Sequence, residues 1–238
     1  MFKSVFLSAE WRNLLMANYI VDPQILKPWL PCKTELDDYN GRHYVSLVGF
    51  MFLNTRIMGV KIPFHINFPE VNLRFYVKYK ENGQWKRGVV FISEIVPRPA
   101  IAWVANTFFN EHYSYLPVRY EERNESGLLK LSYRWKSNNK WNSIYAEAGI
   151  KLLPILKGSE EEFIYEHYYG YSHAGKTKTN EYRVEHPQWD IHPVKSYQVD
   201  CDFEGLYGKQ FAGLAVEKPC SVFVAGGSEV RVYNKRTI

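Results

Sequence analysis

The ten residues Glu70 to Tyr79, EVNLRFYVKY, alternate between apolar and polar without a break. Successive side chains of an extended chain point to opposite faces. Val71, Leu73, Phe75, Val77 and Tyr79 therefore share one face, and Glu70, Asn72, Arg74, Tyr76 and Lys78 share the other. A helix would scatter both sets around its axis, so the run dictates a strand with one face committed to a core. Asn82-Gly83 is a hairpin turn signal, and Gly88 to Val96 supplies an antiparallel partner. Tyr44 to Phe52 is almost continuously apolar, the pattern of a strand buried on both faces. Leu128 to Trp135 alternates again, and Tyr182 to Glu185 and Tyr197 to Phe203 read as further strands.

Helical signals are fewer. Asp22-Pro23 caps a short helix that Pro28 and Pro31 end. Pro97 and Pro99 open another, with Ile101, Val104, Ala105 and Phe108 on one stripe. Trp103 and Phe109 leave it little polar surface, which predicts a buried helix. Ser159 with Glu162 is a capping box, and Gly170 is the expected stop. Leu206 to Leu214 reads as a helix. Val222 to Ala225, Gly226-Gly227 and Val230 to Tyr233 read as a closing hairpin. Eight to ten strands with three or four helices imply a β-rich α+β fold, an antiparallel closed or nearly closed barrel with flanking helices. No linker divides the chain, so residues 1–238 read as a single domain.

Composition excludes several functions. No apolar run approaches the roughly 18 residues of a membrane helix. Met1 to Leu7 is too short for a secretory apolar region, so the expected location is cytoplasmic. Cys32, Cys201 and Cys220 are an odd count with no CxxC spacing, which excludes a zinc ribbon and argues against a disulfide framework. The net charge of +5 is thinly spread. Its clusters, Lys86-Arg87 and Lys235-Arg236, are too small to track a phosphate backbone. No nucleophile elbow, phosphate-binding glycine loop or dinucleotide fingerprint is present. His167/His173 and His186/His192 match no metal-ligand spacing, so the sequence implies no metal and no cofactor. Homo-oligomerisation stays open.

Several long runs occur together: WRNLLMANY (Trp11 to Tyr19), YVSLVGFMF (Tyr44 to Phe52), EVNLRFYV, RGVVFISEIVPR (Arg87 to Arg98), EFIYEHYYGYS (Glu162 to Ser172), VEHP (Val184 to Pro187) and SVFVAGG. Their order and spacing resemble the YqjF-like family of bacterial proteins, within the acetoacetate-decarboxylase-like superfamily. The resemblance implies a β-barrel around a central cavity, with Glu70 as a cavity carboxylate. It also implies a Schiff-base lysine in a Glu-x-x-Gly-x-Pro-Lys-Lys motif. The matching stretch, Glu111 to Tyr120 (EHYSYLPVRY), has Val118 and Arg119 where the lysines belong. Arginine stays protonated and forms no imine, so Schiff-base chemistry is not expected there.

The candidate site follows from the polar strand face. Turned inward, Glu70, Asn72, Arg74 and Tyr76 would present a carboxylate, an amide, a guanidinium and a phenol, spaced about 6–7 Å apart. Turned outward, they would be the wet face of an ordinary amphipathic strand. Glu94 sits inside VVFISEIV, where a carboxylate needs a partner. A structural ion pair with Arg98 or Arg74 is the simplest reading. Arg98, between two prolines at a strand-to-helix corner, can reach a cavity mouth. Lys151 lies between Ile150 and Leu152, but snorkelling to the surface is its ordinary fate. Three functions fit these residues. One is a barrel in which Glu70, Asn72, Arg74, Tyr76, Glu94 and Arg98 bind a small carboxylate- or carbonyl-bearing molecule. A second is an enzyme acting on a keto or enol substrate, with Glu70 or Glu94 as base and His112 as acid. The third is a structural or partner-binding protein.

Overall fold

The computed structural model describes residues 4–238. In chain order its main elements are β1 (Val5–Val21), β2 (His43–Ile57), β3 (Phe68–Glu81), β4 (Gln84–Val96), α1 (Pro99–Phe109), β5 (Val118–Glu125), β6 (Leu128–Ser137) and β7 (Lys140–Gly149). Then come α2 (Glu160–Tyr165), β8 (Tyr169–His173), β9 (Thr179–Glu185), β10 (Val194–Asp200), α3 (Phe203–Tyr207) and β11 (Ser221–Tyr233). The fold is mostly β. No helix is long and apolar enough to cross a membrane among the described residues.

In the larger sheet the long strands run β11–β1–β2–β3–β4–β8–β9. Strand β9 also pairs with β11, through Val184–Val232 and Glu185–Arg231, so the pairing path returns to its start. Pairing is antiparallel except where β4 meets β8 and the short strand Tyr113–Tyr115, both of which run parallel to it. That departs from the wholly antiparallel expectation. The hairpin β3–β4 turns where the sequence signalled, with Asn82 and Gly83 at φ 51° and 81°, the left-handed pair that a two-residue turn requires.

A second, four-stranded sheet, β10–β7–β6–β5, packs on the outside of the first. Leu129, Leu131, Tyr133 and Trp135 of β6 meet Leu15, Leu47, Leu73 and Phe75 in one core. Each fully buried aliphatic or aromatic side chain there stabilises by roughly 1.5–3 kcal/mol. This outer sheet settles the orientation of β3. Val71, Leu73, Phe75 and Val77 pack against it, so the opposite face must turn into the space inside the strand ring.

Four local expectations are corrected. Helix α1 is not buried: Trp103 is 66% and Phe108 51% exposed, while the Phe109 side chain lies outside the described residues, as do Met1 to Lys3. Helix α2 stops at Tyr165 rather than Gly170, which belongs to β8. The Leu206–Leu214 helix breaks at Gly208, leaving α3 and a 3-10 segment, Lys209–Ala215. The closing hairpin is one strand, β11. Gly227, at φ 77°, kinks that strand against β1, where a Cβ would sit 1.9 Å from the Trp11 carbonyl oxygen. Two glycines within a strand imitate a turn in sequence, but here they permit close approach of two backbones.

Candidate active site

Strands β3 and β4 set the site. Asn72 stands opposite Glu94, and Glu94 stands beside Tyr113 on the next strand, so three neighbouring strands present side chains at one level. A bulge makes this possible. The register shifts between Leu73–Ser93 and Arg74–Phe91, leaving Ile92 as the extra residue. The added residue lets both Phe91 and Glu94 face inward while Ile92 and Ile95 stay in the outer core.

These side chains line a cavity of about 140 Å³. A cavity of about that size is known to hold a molecule as large as benzene. Trp11, Phe50, Phe52, Phe68 and Phe91 form apolar walls. Glu70, Asn72, Arg74 and Glu94 line it as the inward reading of β3 required, and Glu111, Tyr113, His167 and Tyr182 join them.

Three carboxyl groups are buried here: Glu70 and Glu94, each 2% exposed, and Glu111 at 8%. Asn72 Nδ2 donates to Glu70 Oε1 at 3.0 Å, and the Tyr113 hydroxyl donates to Glu70 Oε2 at 3.0 Å. The Tyr182 hydroxyl donates to Glu111 Oε1 at 3.0 Å. Glu94 Oε2 has no hydrogen-bond partner, and among the described residues no cation forms a salt bridge with any of the three. Burial pushes the Glu70 carboxyl up to about 7, against the lowering effect of Asn72 and Tyr113. Burial, with the nearby Glu70 charge, pushes Glu111 up to about 8 despite the Tyr182 bond. Glu94 is raised well above the carboxylate range by burial, then by the charges of Glu111 and Glu70. Like charges in a dry site cannot all ionise, so the cluster retains protons at neutral pH. Among the described residues no three His, Cys, Asp or Glu side chains converge closely enough to hold a metal ion.

Sequence reading missed Glu111, Tyr113 and Tyr182 as site residues. Glu111 follows Asn110, the left-handed cap of α1, whose side chain donates to the His173 carbonyl at 2.6 Å and ties this loop to β8. Tyr182 reaches Glu111 because Gly170 leaves room for its ring; a Cβ there would lie 2.0 Å from the phenol. Nothing local in the sequence signals either contact.

Arg74 lies farther along β3 on the same face. Its Nη2 is 3.6 Å from Met16 Sδ, its Nε has no hydrogen-bond partner, and it forms no salt bridge among the described residues. The expected ion pair of Glu94 with Arg74 or Arg98 is absent, because Glu94 faces two other carboxyls. Tyr76 is buried but not in the lining; its hydroxyl shares a 2.6 Å hydrogen bond with Ser46, which also donates to Asn18 at 2.6 Å. Arg98 sits at the N-cap of α1, outside the lining. His112 is exposed, edge-on to Trp29 at 5.5 Å, and does not reach the cavity. Lysine is absent from the lining: Lys151 is exposed, and Arg119, where the motif places a lysine, stacks over Trp141 at 4.6 Å.

Comparison with known proteins agrees with the architecture. "Uncharacterized protein YqjF" of Bacillus subtilis (strain 168) is 36% identical over 117 residues, 49% of this chain and 47% of that protein. The chain thus matches about half the length of this curated relative. Acetoacetate decarboxylase from Legionella pneumophila superposes with a TM-score of 0.67 at 14% identity, over 98% of this chain and 87% of that one. The enduracididine biosynthesis enzyme MppR complexed with pyruvate gives 0.66 at 11% identity, over 100% and 91%. An acetoacetate decarboxylase-like enzyme from Sphingomonas wittichii RW1 gives 0.62 at 10% identity, over 100% and 94%. At these identities the likeness shows the fold, which is acetoacetate-decarboxylase-like. A family model described as "Uncharacterized conserved protein (COG2071)" matches residues 8–229, nearly the whole chain, and the chain belongs to that family, DUF2071.

Proposed function

We propose that the strand ring works as a nearly closed barrel, within a single cytoplasmic domain, and that its cavity binds a small molecule bearing a carbonyl or carboxylate group. The observation that carries this reading is the buried cluster Glu70–Glu94–Glu111, which shares an apolar-walled cavity with an unpaired Arg74. Burying uncompensated carboxyls is costly, and a fold retains such a cost where a ligand or a reaction uses it. Arg74 supplies a guanidinium for a ligand carboxylate. Protonated carboxyls supply donors for a carbonyl oxygen. The pyruvate complex of MppR makes a 2-oxo acid the first ligand to try.

Calorimetric titration with pyruvate and acetoacetate tests the proposal. Saturable binding is expected, weakened about tenfold or more in Arg74→Met, since a hydrogen bond to a charged group contributes about 1.5–3 kcal/mol. No saturation with either acid, or equal affinity in the variant, would reject it. A second reading, acid–base chemistry on a keto or enol substrate without a Schiff-base lysine, is favoured by carboxyls raised to about 7 and 8, close to the pH at which acids and bases exchange protons best. His112 leaves that scheme, because it does not line the cavity.

A further inference from the structure

His167, in the turn between α2 and β8, lines the same cavity, and none of the roles above uses it. Its side chain is 1% exposed and its Nε2 lies 3.4 Å from Asp37 Oδ2. Its Nδ1 has no hydrogen-bond partner. Buried polar groups are ordinarily satisfied, so an imidazole whose Nδ1 is left open beside a cavity calls for a partner that enters the cavity. The ring is fixed by Tyr76 at 4.7 Å and Phe163 at 5.2 Å. Asp37 is anchored in turn by Arg87 Nε at 2.6 Å and Lys78 Nζ at 3.4 Å. Burial pushes Asp37 up, but hydrogen bonds from His167 and Arg87 outweigh it and keep Asp37 ionised. The charged and titratable groups around the imidazole are thus Asp37, Arg87 and Lys78 behind it, with Arg74 and Tyr76 on β3.

We infer that His167 is a proton-transfer base of this cavity, with Asp37 accepting its Nε2–H and its Nδ1 lone pair taking a proton from the carbon next to the carbonyl of a bound 2-oxo acid. The inference rests on the binding reading above. Along β3 the Asn72 level, where Glu94 stands, and the Arg74 level are about 6–7 Å apart. A three-carbon oxo acid can therefore place its carboxylate at Arg74 and its carbonyl toward the carboxyl cluster. In the proton transfer the C–H bond breaks and its electron pair becomes the C=C bond of the enol. The carbonyl oxygen takes a proton from a protonated carboxyl of the cluster, and the carbon's proton rests on Nδ1 until the reverse step. Burial first, and then the Arg87 and Arg74 charges, hold the imidazole down at about 4 against the raising effect of Asp37. A carboxylate seated on Arg74 cancels one of those cations, so binding itself strengthens the base.

The probe is pyruvate in D2O, with exchange of its methyl protons followed by NMR on the full chain. The wild type is expected to exchange them faster than buffer. His167→Gln should slow exchange about a hundredfold, the lower range for a general base, with pyruvate affinity unchanged. Asp37→Asn should slow it less. Nitrogen NMR of the wild type should show the Nε2–H tautomer of His167, and this decides the matter even if a variant fails to fold. Exchange in His167→Gln within twofold of wild type, or an Nδ1–H tautomer, would overturn the inference. Pyruvate binding without exchange by the wild type would overturn it and leave the binding reading standing. A titration without saturation would overturn both.

Discussion

Two glutamates in this fold are equally buried and oppositely treated. Glu181 on β9 is 0% exposed and Glu94 on β4 is 2% exposed. Glu181 is surrounded by cations: Arg236 Nε donates to its Oε1 at 2.7 Å, and Lys86 Nζ lies 3.3 Å away. The Tyr171 hydroxyl donates to its other oxygen at 3.2 Å. Glu94 has Glu70 and Glu111 for electrostatic neighbours and an oxygen without a partner. Burial alone therefore says little about a carboxyl; the sign of its neighbours decides whether the buried group holds its charge or its proton.

The sharpest way to break the contrast is to neutralise each glutamate. Glu181→Gln should destabilise by about 3 kcal/mol, at the low end for a broken buried pair because Arg236 and Lys86 are partly exposed and keep Glu81. Glu94→Gln at neutral pH should be neutral or stabilising. Urea unfolding measures both, and equal losses would erase the distinction. Gly170→Ala comes next, at about 2 kcal/mol, because its Cβ collides with the Tyr182 ring. The displaced phenol should also raise the Glu111 carboxyl further, which carboxyl NMR would detect.

The pH dependence has a definite sign. The cluster carboxyls sit above their ordinary value of 4.5, with Glu70 at about 7 and Glu111 at about 8. The unfolded chain releases these protons first, so their contribution is complete below pH 4.5 and is lost as pH rises toward 8. Each proton accounts for a slope of at most about 1.4 kcal/mol per pH unit. Removing Glu94 should flatten that decline, and stability curves that stay parallel would contradict the shared cluster. The smallest effect belongs to Tyr182→Phe. Loss of its bond to Glu111 should cost about 1 kcal/mol in urea unfolding.

The β3 half of the site was legible from sequence because a strand's faces follow from its two-residue period. Glu70, Asn72 and Arg74 share a face wherever that strand is placed. Tyr76 shares it too, yet Ser46 on the neighbouring strand β2 claims its hydroxyl. Glu94 was legible as a buried carboxyl but not as one among carboxyls, because Glu111 reaches it only through the loop that Asn110 ties to β8. Asp37 and His167 lie far apart in the chain, and no spacing rule joins them.

Sequence by itself determined the extended runs, their inward and outward sets, the Asn82-Gly83 turn and the Ser159 cap of α2. Each depends on backbone sterics or hydrogen bonds within a few residues. Tertiary structure decided which set faced the cavity, because the outer sheet, assembled from β5, β6, β7 and β10, covers the apolar side of β3. It also decided that Gly226-Gly227 would continue a strand, through the approach of β1, and that Glu94 would lack an arginine. Burial and charge pairing are properties of whatever packs alongside a residue, and that neighbour comes from elsewhere in the chain.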